Sequence, residues 1–296
     1  MMVKIVIDII WRENMVEIIT DTSCDLSLEQ AKELGVTLVP MTITFGDRDF
    51  KDRYEMEADD FYRLLVSYDD LPVTSQINPY EFEKAFENTQ RNGDTAVVIT
   101  LSSELSGTCS NAELASRDYP HIYVVDSRTG SVAIQCLVRL ACRLRDQGLD
   151  AETIAKKVRA AASRVKVLAL VDTLEYLKKG GRISATAAVA GNVLSIKPVL
   201  TTRDGKIEVV GKARGSKNAN NLIKKLANEC GGINFDEPVV LAYSGTSRDL
   251  LDQYVSDNKE LYEGHEDALI YSQIGSTIGT HTGPGAIIIG FFPNNK

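Results

Sequence analysis

The stretch PVTSQINPYEFEKAF, residues Pro72–Phe86, combines the start of a helix with two hydroxyl side chains just before it. Asn78 occupies the position of an N-cap, and Pro79 follows at the first helical position. Thr74 and Ser75 lie a few residues upstream. The free N–H groups at a helix start carry partial positive charge. The stretch therefore predicts either an ordinary capped helix or the seat of an anion.

Strands and helices alternate through the first half of the chain, and polar turns follow several of the strands. Val16–Thr20 and Ala96–Leu101 are short apolar runs typical of buried strands. Ser106 and Gly107 lie in the turn after the second run. Such alternation favours a parallel sheet with helices on its faces, which binds ligands at the carboxyl ends of its strands. We therefore expect a Rossmann-like α/β domain over residues 15–165.

One further stretch of the first half has the pattern of a hairpin. Val36–Phe45 is apolar and β-branched, and the turn residues Gly46–Asp49 separate it from Phe50–Asp52. This order predicts two antiparallel strands joined by a short turn.

The pattern changes in the second half of the chain. Lys197–Thr201 and Lys206–Val210 are strand-like and flank Asp204–Gly205, a hairpin signal. A helix of small residues is predicted over Ala185–Leu194. These features predict a second α/β domain, with a mixed sheet, over residues 166–296.

The composition excludes several classes of function. The formal net charge of −8 argues against a general nucleic-acid binder and against more than transient membrane contact. The five cysteines form no CxxC pair and the three histidines are far apart, so we expect neither a disulfide framework nor a metal site. Reduced thiols suit the cytoplasm. P-loop and GxGxxG motifs are absent, so we do not expect this chain to bind ATP.

Residues 1–14, MMVKIVIDIIWREN, do not fit the pattern that follows them. Lys4 and Asp8 interrupt the apolar run, which is too short to span a bilayer. Cleavage-site residues typical of a signal peptide do not follow. Since a strand pattern begins at Met15, we interpret the segment as an added extension or as a misassigned start.

A single histidine lies within the glycine- and threonine-rich stretch Gly275–Gly285. His281 follows Thr280 in the sequence GTHTG, which we interpret as a turn. An imidazole in such a turn can contact an oxyanion, or it can be a structural histidine bonded to a backbone carbonyl. Residues 178–217 form a basic region, which predicts either a solvated face or a docking surface for an acidic partner or ATP phosphates.

Seven segments in chain order together resemble the DegV family. They are DTSCDL (21–26), VTSQINP (73–79), LSSELSGT (101–108), VVDSRTGS (124–131), DTLEYLKKGGRIS (172–184), KPVLTTRDGKIEVVGKARG (197–215) and GTHTGPGA (279–286). The resemblance implies two α/β domains with a lipid between them. It also implies that the protein binds one long-chain fatty acid as a subunit of bacterial fatty acid kinase. In that system a separate ATP-binding subunit phosphorylates the carboxylate, giving acyl phosphate for phospholipid synthesis.

The resemblance implies roles for individual residues as well. The residues expected to bind the carboxylate are Thr74, Ser75, Ser106, Gly107, Thr280 and His281. Arg182 and Arg214 match family arginines near the pocket mouth, where the kinase subunit would dock. On this interpretation the chain is a cytoplasmic binding protein that is not catalytic alone and needs no cofactor beyond its fatty acid.

Two alternatives remain open from the sequence. The chain could be a serine hydrolase that uses Ser106 and His281, although the GxSxG pattern of a nucleophile elbow is absent. It could also be a lipid carrier or sensor that works without a kinase.

Overall fold

The structure is a computed structural model that describes residues 15–68, 70–183 and 196–294. The extension at residues 1–14 and the helix predicted over Ala185–Leu194 lie outside the described residues.

The described elements alternate between strands and helices along most of the chain. The strands are β1 (Val16–Asp21), β2 (Val36–Val39), β3 (Thr42–Phe45), β4 (Arg48–Lys51), β5 (Val73–Ser75), β6 (Thr95–Thr100), β7 (Ile122–Asp126), β8 (Lys166–Leu170), β9 (Ile196–Arg203), β10 (Lys206–Arg214), β11 (Val239–Tyr243), β12 (Leu269–Gln273) and β13 (Ile287–Phe291). The helices are α1 (Leu28–Leu34), α2 (Ala58–Ser67), α3 (Pro79–Asn92), α4 (Thr108–Ala115), α5 (Val132–Asp146), α6 (Ala151–Ala162), α7 (Glu175–Lys179), α8 (Ser216–Glu229), α9 (Asp249–Asp257), α10 (Lys259–Tyr262) and α11 (Ser276–Thr282).

Four strands from the first half form a parallel sheet in the order β2-β1-β6-β7. Ile18 and Ile19 on β1 point to opposite faces, and both are fully buried. Val97 and Val98 on β6 are buried in the same way. Helices cover both faces of such a sheet, so its central strands have continuous apolar sequences. The predicted parallel sheet is confirmed.

Six strands from the second half form a mixed sheet in the order β10-β9-β8-β13-β11-β12. Only the β11–β12 pair is parallel among the described pairs of this sheet. The predicted hairpin at Asp204–Gly205 joins β9 to β10, and the mixed sheet is confirmed. Residues on the two faces alternate along β8: Val167 and Ala169 belong to the core that includes the first sheet, whereas Leu168 and Leu170 belong to a second cluster with residues of α8 and α9.

Helix α5 lies between the two sheets and contacts strands of both. Ile134, Leu137 and Ala141 on this helix are fully buried. A Cβ atom added at Gly290 on β13 would lie 2.8 Å from the carbonyl oxygen of Val132, so this glycine allows the close approach of α5. Both sheets therefore contribute to one hydrophobic core. The domain boundary near residue 165 falls between α6 and β8 and stays a prediction.

A small antiparallel sheet has the order β4-β3-β5 and corrects one expectation. The run Val36–Phe45, predicted as one strand, is divided between β2 in the parallel sheet and β3 in the small sheet. Pro40 lies at the division and has no N–H group for a ladder. The β3–β4 hairpin is as predicted. β5 adds Thr74 at the sheet edge, opposite Ile43.

Candidate functional site

A cavity of about 90 Å³ lies between the carboxyl ends of the parallel sheet and one face of the mixed sheet. Its walls are mostly apolar. Representative apolar residues are Leu101 after β6, Val167 and Ala169 on β8, Leu200 on β9, Ile278 on α11 and Ile288 on β13. The cavity therefore occupies the position in which parallel α/β sheets bind ligands.

Thr74 and His281, which are 207 residues apart in sequence, lie next to each other at this cavity. The Oγ1 atom of Thr74 lies 2.8 Å from the Nε2 atom of His281, which is in the last turn of α11. The other ring nitrogen, Nδ1, is buried without a hydrogen-bond partner among the described residues. A Cβ atom at Gly180 would lie 2.3 Å from this Nδ1, so the glycine makes room for the imidazole.

The charge state of His281 follows from its surroundings. Burial, with a smaller contribution from the positive charge of Arg182, lowers the pKa of His281 from 6.5 to about 4. The imidazole is therefore neutral at pH 7, with one N–H donor and one acceptor nitrogen.

Ser106 contributes a second hydroxyl from the turn that follows β6. Its Oγ atom lies 2.9 Å from the Oγ1 atom of Thr108 and accepts a hydrogen bond of 3.3 Å from the Thr108 N–H. Thr108 Oγ1 in turn accepts a hydrogen bond of 3.3 Å from the N–H of Ile77. The turn of Ser106 is thereby joined to the turn that carries Thr74.

Arg182 adds a positive charge to the cavity lining. Its Nε atom donates to the carbonyl of Leu105 at 3.2 Å, and its Nη1 atom donates to the carbonyl of Gly180 at 2.6 Å. The side chain therefore bridges the turn of Ser106 and the glycine turn beside His281. Thr74, Ser106, Arg182 and His281, which all line the cavity, are called the polar cluster below.

Four other predicted site residues have different surroundings and are not among the described residues that line the cavity. Ser75 is exposed on β5, because alternate residues of a strand point to opposite faces. A Cβ atom at Gly107 would lie 2.1 Å from Oε1 of Gln76, so this glycine admits Gln76. Thr280 donates its hydroxyl to the carbonyl of Ser276 within α11. Arg214 is exposed at the end of β10.

The stretch Gly275–Gly285, interpreted as a turn, contains helix α11, and this is a correction. Gly279 does not interrupt the helix. A Cβ atom there would lie 2.6 Å from the ring of Phe61 and 2.7 Å from the hydroxyl of Tyr62. The glycine thus permits close packing against α2, a contact that local sequence does not reveal.

Asp52, which no local sequence pattern marks as important, anchors this helix. Its fully buried carboxylate accepts hydrogen bonds from the backbone N–H groups of Ser276 and Thr277, at 3.2 and 3.3 Å, and from their hydroxyls, at 2.6 and 2.5 Å. Negative charge is favourable at a helix start. Because Asp52 and Ser276 are far apart in sequence, no spacing pattern connects them.

A second buried carboxylate, Asp25, links the same helix to the first sheet. It accepts hydrogen bonds from Gly275 N at 2.8 Å and from Ser131 Oγ at 2.6 Å, and it lies 3.8 Å from Nη2 of Arg53. Burial raises the pKa of Asp25 to about 7, against the opposing effect of the Arg53 charge. Asp25 therefore fixes Ser131, which lines the cavity, relative to the start of α11.

The described residues contain neither a candidate metal cluster nor a candidate membrane-spanning helix. Across residues 15–68, 70–183 and 196–294, histidine, cysteine and acidic side chains do not gather in groups of three or more that could hold a metal ion. The helices of these same ranges are too short or too polar to cross a membrane.

Comparison with known proteins assigns the family. The family model described as "Uncharacterised protein, DegV family" matches residues 15–294. The chain belongs to the DegV family. A DegV domain-containing protein of Caldanaerobacter subterraneus is 33% identical to it over 274 residues, which cover 92% of this chain and 96% of that protein. The resemblance inferred from seven sequence segments is confirmed.

Solved DegV structures share the fold. A DegV family protein from Thermus thermophilus, described by its fatty acid binding, has a TM-score of 0.83 and 28% identity, covering 94% of this chain and 99% of that one. A stearic acid-binding protein from Eubacterium ventriosum has a TM-score of 0.82 and 27% identity, covering 94% and 98%. The predicted DegV-type α/β fold is confirmed.

Proposed function

We propose that this DegV protein binds one long-chain fatty acid, with the tail in the apolar cavity and the carboxylate at the polar cluster. The observation that carries the proposal is a mostly apolar cavity whose lining includes the hydroxyls of Thr74 and Ser106, the guanidinium of Arg182 and the buried imidazole of His281. Fatty acid binding is a property of DegV family proteins, as the Thermus and Eubacterium structures illustrate. We propose that Thr74 and Ser106 donate hydrogen bonds to the carboxylate and that His281 lies beside it and holds the Thr74 hydroxyl.

The energies of burial agree with this assignment. Each buried methylene contributes about 0.8 kcal/mol, so a tail with about fourteen of them gains roughly 11 kcal/mol before the costs of binding. An unpaired buried carboxylate costs several kcal/mol. Two hydroxyl donors and the nearby positive charge of Arg182 offset this cost.

The hydrogen-bond directions favour an anionic acceptor at Thr74. Nδ1 of His281 has no partner among the described residues, and an unpaired buried N–H is rarer than an unpaired buried acceptor. We therefore assign the proton to Nε2, which then donates to Thr74 Oγ1. The hydroxyl proton of Thr74 is left to donate to the carboxylate.

The cavity volume of about 90 Å³ is small for a long acyl chain. We expect the apolar side chains to move apart on binding, or the tail to extend past the described lining residues.

The fatty acid itself is tested by mass spectrometry of the purified protein under native and then denaturing conditions. We expect one fatty acid per chain, and its mass identifies the preferred tail. A protein that carries no lipid, and that takes up neither palmitate nor oleate when these are added, would overturn the proposal.

We further propose that a separate ATP-binding fatty acid kinase subunit uses the bound acid as its substrate. A carboxylate oxygen would attack the γ-phosphorus of ATP and break its bond to the β-phosphate oxygen, giving acyl phosphate and ADP. Hydroxyl donors suit this step because they orient an oxygen without the two parallel bonds of an arginine clamp. This chain would then be a binding subunit that does not catalyse the reaction alone.

The kinase subunit is proposed to dock near Arg214. The basic region around it is partly neutralised, since Lys179 pairs with Glu175 and Lys206 pairs with Glu104, at 3.0 and 3.3 Å. Arg214 is exposed and lies outside the cavity lining, so its charge can be reversed without altering the polar cluster.

The docking proposal is tested with Arg214→Glu, and the exposed Arg117→Glu in the first half of the chain is the matched control. We expect Arg214→Glu to lower acyl phosphate formation with the kinase subunit at unchanged fatty acid affinity, and the control to change neither. Equal turnover for both variants would overturn docking at Arg214. Absence of any kinase-dependent turnover in the unmodified protein would favour a stand-alone carrier or sensor.

The hydrogen bonds do not favour the hydrolase alternative. His281 is bonded to Thr74 through Nε2, and its Nδ1 has no partner among the described residues. The hydroxyl of Ser106 is bonded to Thr108 instead of to an imidazole base. Turnover of a chromogenic acyl ester that disappears in Ser106→Ala would support the hydrolase.

A further inference from the structure

Thr108 lies directly behind Ser106 and is fully buried at the start of α4. It is not among the described residues that line the cavity. Its Oγ1 accepts from the N–H of Ile77, whose carbonyl accepts from Nδ2 of Asn111 at 2.7 Å. Both polar groups of the Ile77 backbone are thus held by α4, and one of the two lone pairs of the Thr108 hydroxyl is occupied.

The hydroxyl proton of Thr108 can be placed by elimination. Among the described residues, the Oγ atom of Ser106 is the acceptor within hydrogen-bond distance of Thr108 Oγ1. If the proton did not point to Ser106, a buried donor would have no partner, which is rare in folded proteins. Thr108 therefore donates to Ser106. The backbone N–H of Thr108 donates to the same oxygen at 3.3 Å.

The Oγ atom of Ser106 therefore accepts two hydrogen bonds from Thr108, and the hydroxyl proton of Ser106 remains free to donate to another group. We propose that Thr108 is a positioning residue that makes Ser106 a hydrogen-bond donor toward the cavity. This inference rests on the proposed function, since the acceptor would be the fatty acid carboxylate. An ionised carboxylate only accepts hydrogen bonds, and a bond to it is stronger than one to a neutral group. Thr108 therefore favours a carboxylate over an uncharged headgroup.

The test compares two ligands with the same tail and different headgroups, palmitate and hexadecanol. Dissociation constants are measured on delipidated protein by displacement of a fluorescent fatty acid. Thr108→Val removes the hydroxyl, and Thr108→Ser keeps it. Thr100→Val is the matched control, because Thr100 is equally buried and its hydroxyl has no nitrogen or oxygen partner among the described residues, only the Cys109 thiol nearby.

We expect Thr108→Val to weaken palmitate binding about tenfold, because the hydrogen bond from Ser106 to the charged carboxylate is weakened. Hexadecanol binding should be nearly unchanged, because its headgroup carries no charge. Thr108→Ser and Thr100→Val should bind palmitate in preference to hexadecanol to the same degree as the unmodified protein does. An equal loss for both ligands, or no loss for palmitate, would overturn the role of Thr108. If the valine variant does not fold, Thr108→Cys replaces it, since a thiol is a weaker donor.

A double-mutant cycle shows whether Thr108 acts through Ser106. In a Ser106→Ala background, Thr108→Val should cause no further loss of palmitate preference. A further loss of similar size would mean that Thr108 acts through the Ile77 turn and would overturn the inference. The proposed function fails separately: in that case the unmodified protein would bind neither ligand, or would not prefer palmitate.

Discussion

The two hydroxyls of the polar cluster are supported in different ways. Ser106 is hydrogen-bonded to Thr108, two residues away in the same turn. Thr74 is hydrogen-bonded to His281, which is 207 residues away, on a helix whose start is fixed by Asp52. One side of the cluster is therefore built by a local turn, and the other depends on contacts between distant parts of the chain.

This difference indicates where substitutions act. Changes at the start of α11, outside the immediate surroundings of Thr74, should still disturb the Thr74 side because they move the helix that carries His281. Changes on the Ser106 side should act through its own turn, through α4 and through the hydrogen bonds between α4 and Ile77.

Removal of the remote anchor should have the largest effect. Asp52→Ala leaves four donors of Ser276 and Thr277 without their buried acceptor, so we expect the free energy of unfolding to fall by about 4 kcal/mol. Asp52→Asn should have a smaller effect, because one acceptor oxygen remains. Urea denaturation measures both.

The matched control for Asp52 is Asp49→Ala on the neighbouring strand, where the side chain is exposed and accepts one hydrogen bond from Thr44. We expect this change to cost less than about 1 kcal/mol. Equal losses for the two alanine variants would contradict the role given to Asp52.

The pH dependence of stability should reveal the buried imidazole. The folded pKa of His281, about 4, lies below its unfolded value of 6.5, so the unfolded state binds more protons between these pH values. Stability from His281 is complete above pH 6.5 and decreases as the pH falls toward 4, by about 3 kcal/mol. Asp25 has the opposite effect: its folded pKa is raised from 3.8 to about 7, and its contribution decreases as the pH rises through this range.

Because these two contributions oppose each other, the measurement compares the unmodified protein with His281→Asn in lipid-free form. The difference between their free energies of unfolding should change by about 3 kcal/mol between pH 7 and pH 4. Parallel pH profiles for the two proteins would show that His281 is not buried in its neutral form.

The space beside His281 gives a third, smaller effect. Gly180→Ala would place a methyl group where Nδ1 now lies, so we expect the imidazole to shift and palmitate affinity to fall about tenfold. Gly211→Ala on β10 is the control, since its Cβ would meet only the flexible end of Leu222. Affinities that agree within twofold for the two variants would exclude this role of Gly180.

A change on the Ser106 side of the polar cluster should give the smallest effect. Asn111→Ala removes the hydrogen bond to the carbonyl of Ile77, and we expect a loss of about 1 kcal/mol in stability and a few-fold loss in palmitate affinity. The pKa of His281, followed by NMR, should not change. A shift in that pKa would show that the two sides of the cluster are coupled.

The same contrast explains how far the sequence could predict the structure. Helix α3 begins as predicted: Asn78 caps it by accepting from the N–H of Glu81, and Pro79 is its first residue. The parallel sheet, the mixed sheet and the Asp204–Gly205 hairpin also follow from local patterns. In each case, the sequence signal lies within a single strand, helix or turn.

Features that depend on distant contacts were not predictable in this way. Helix α11 contains glycines that locally favour a turn, and it is helical because Asp52 caps it and α2 packs against Gly279. The strand β5 forms because its residues pair with β3. Nothing near Asp25 or Asp52 in sequence indicates that their carboxylates meet the start of α11.

The most direct test of carboxylate binding at the polar cluster is the pKa of His281, followed by NMR with palmitate and then with hexadecanol. The three histidines of the chain make its signal readily assignable by comparison with His281→Asn. A negative charge close to the ring favours the imidazolium, so palmitate should raise the pKa of His281 above about 4 and hexadecanol should not. If palmitate binds but the pKa of His281 is the same with palmitate as with hexadecanol, the carboxylate does not lie at the polar cluster.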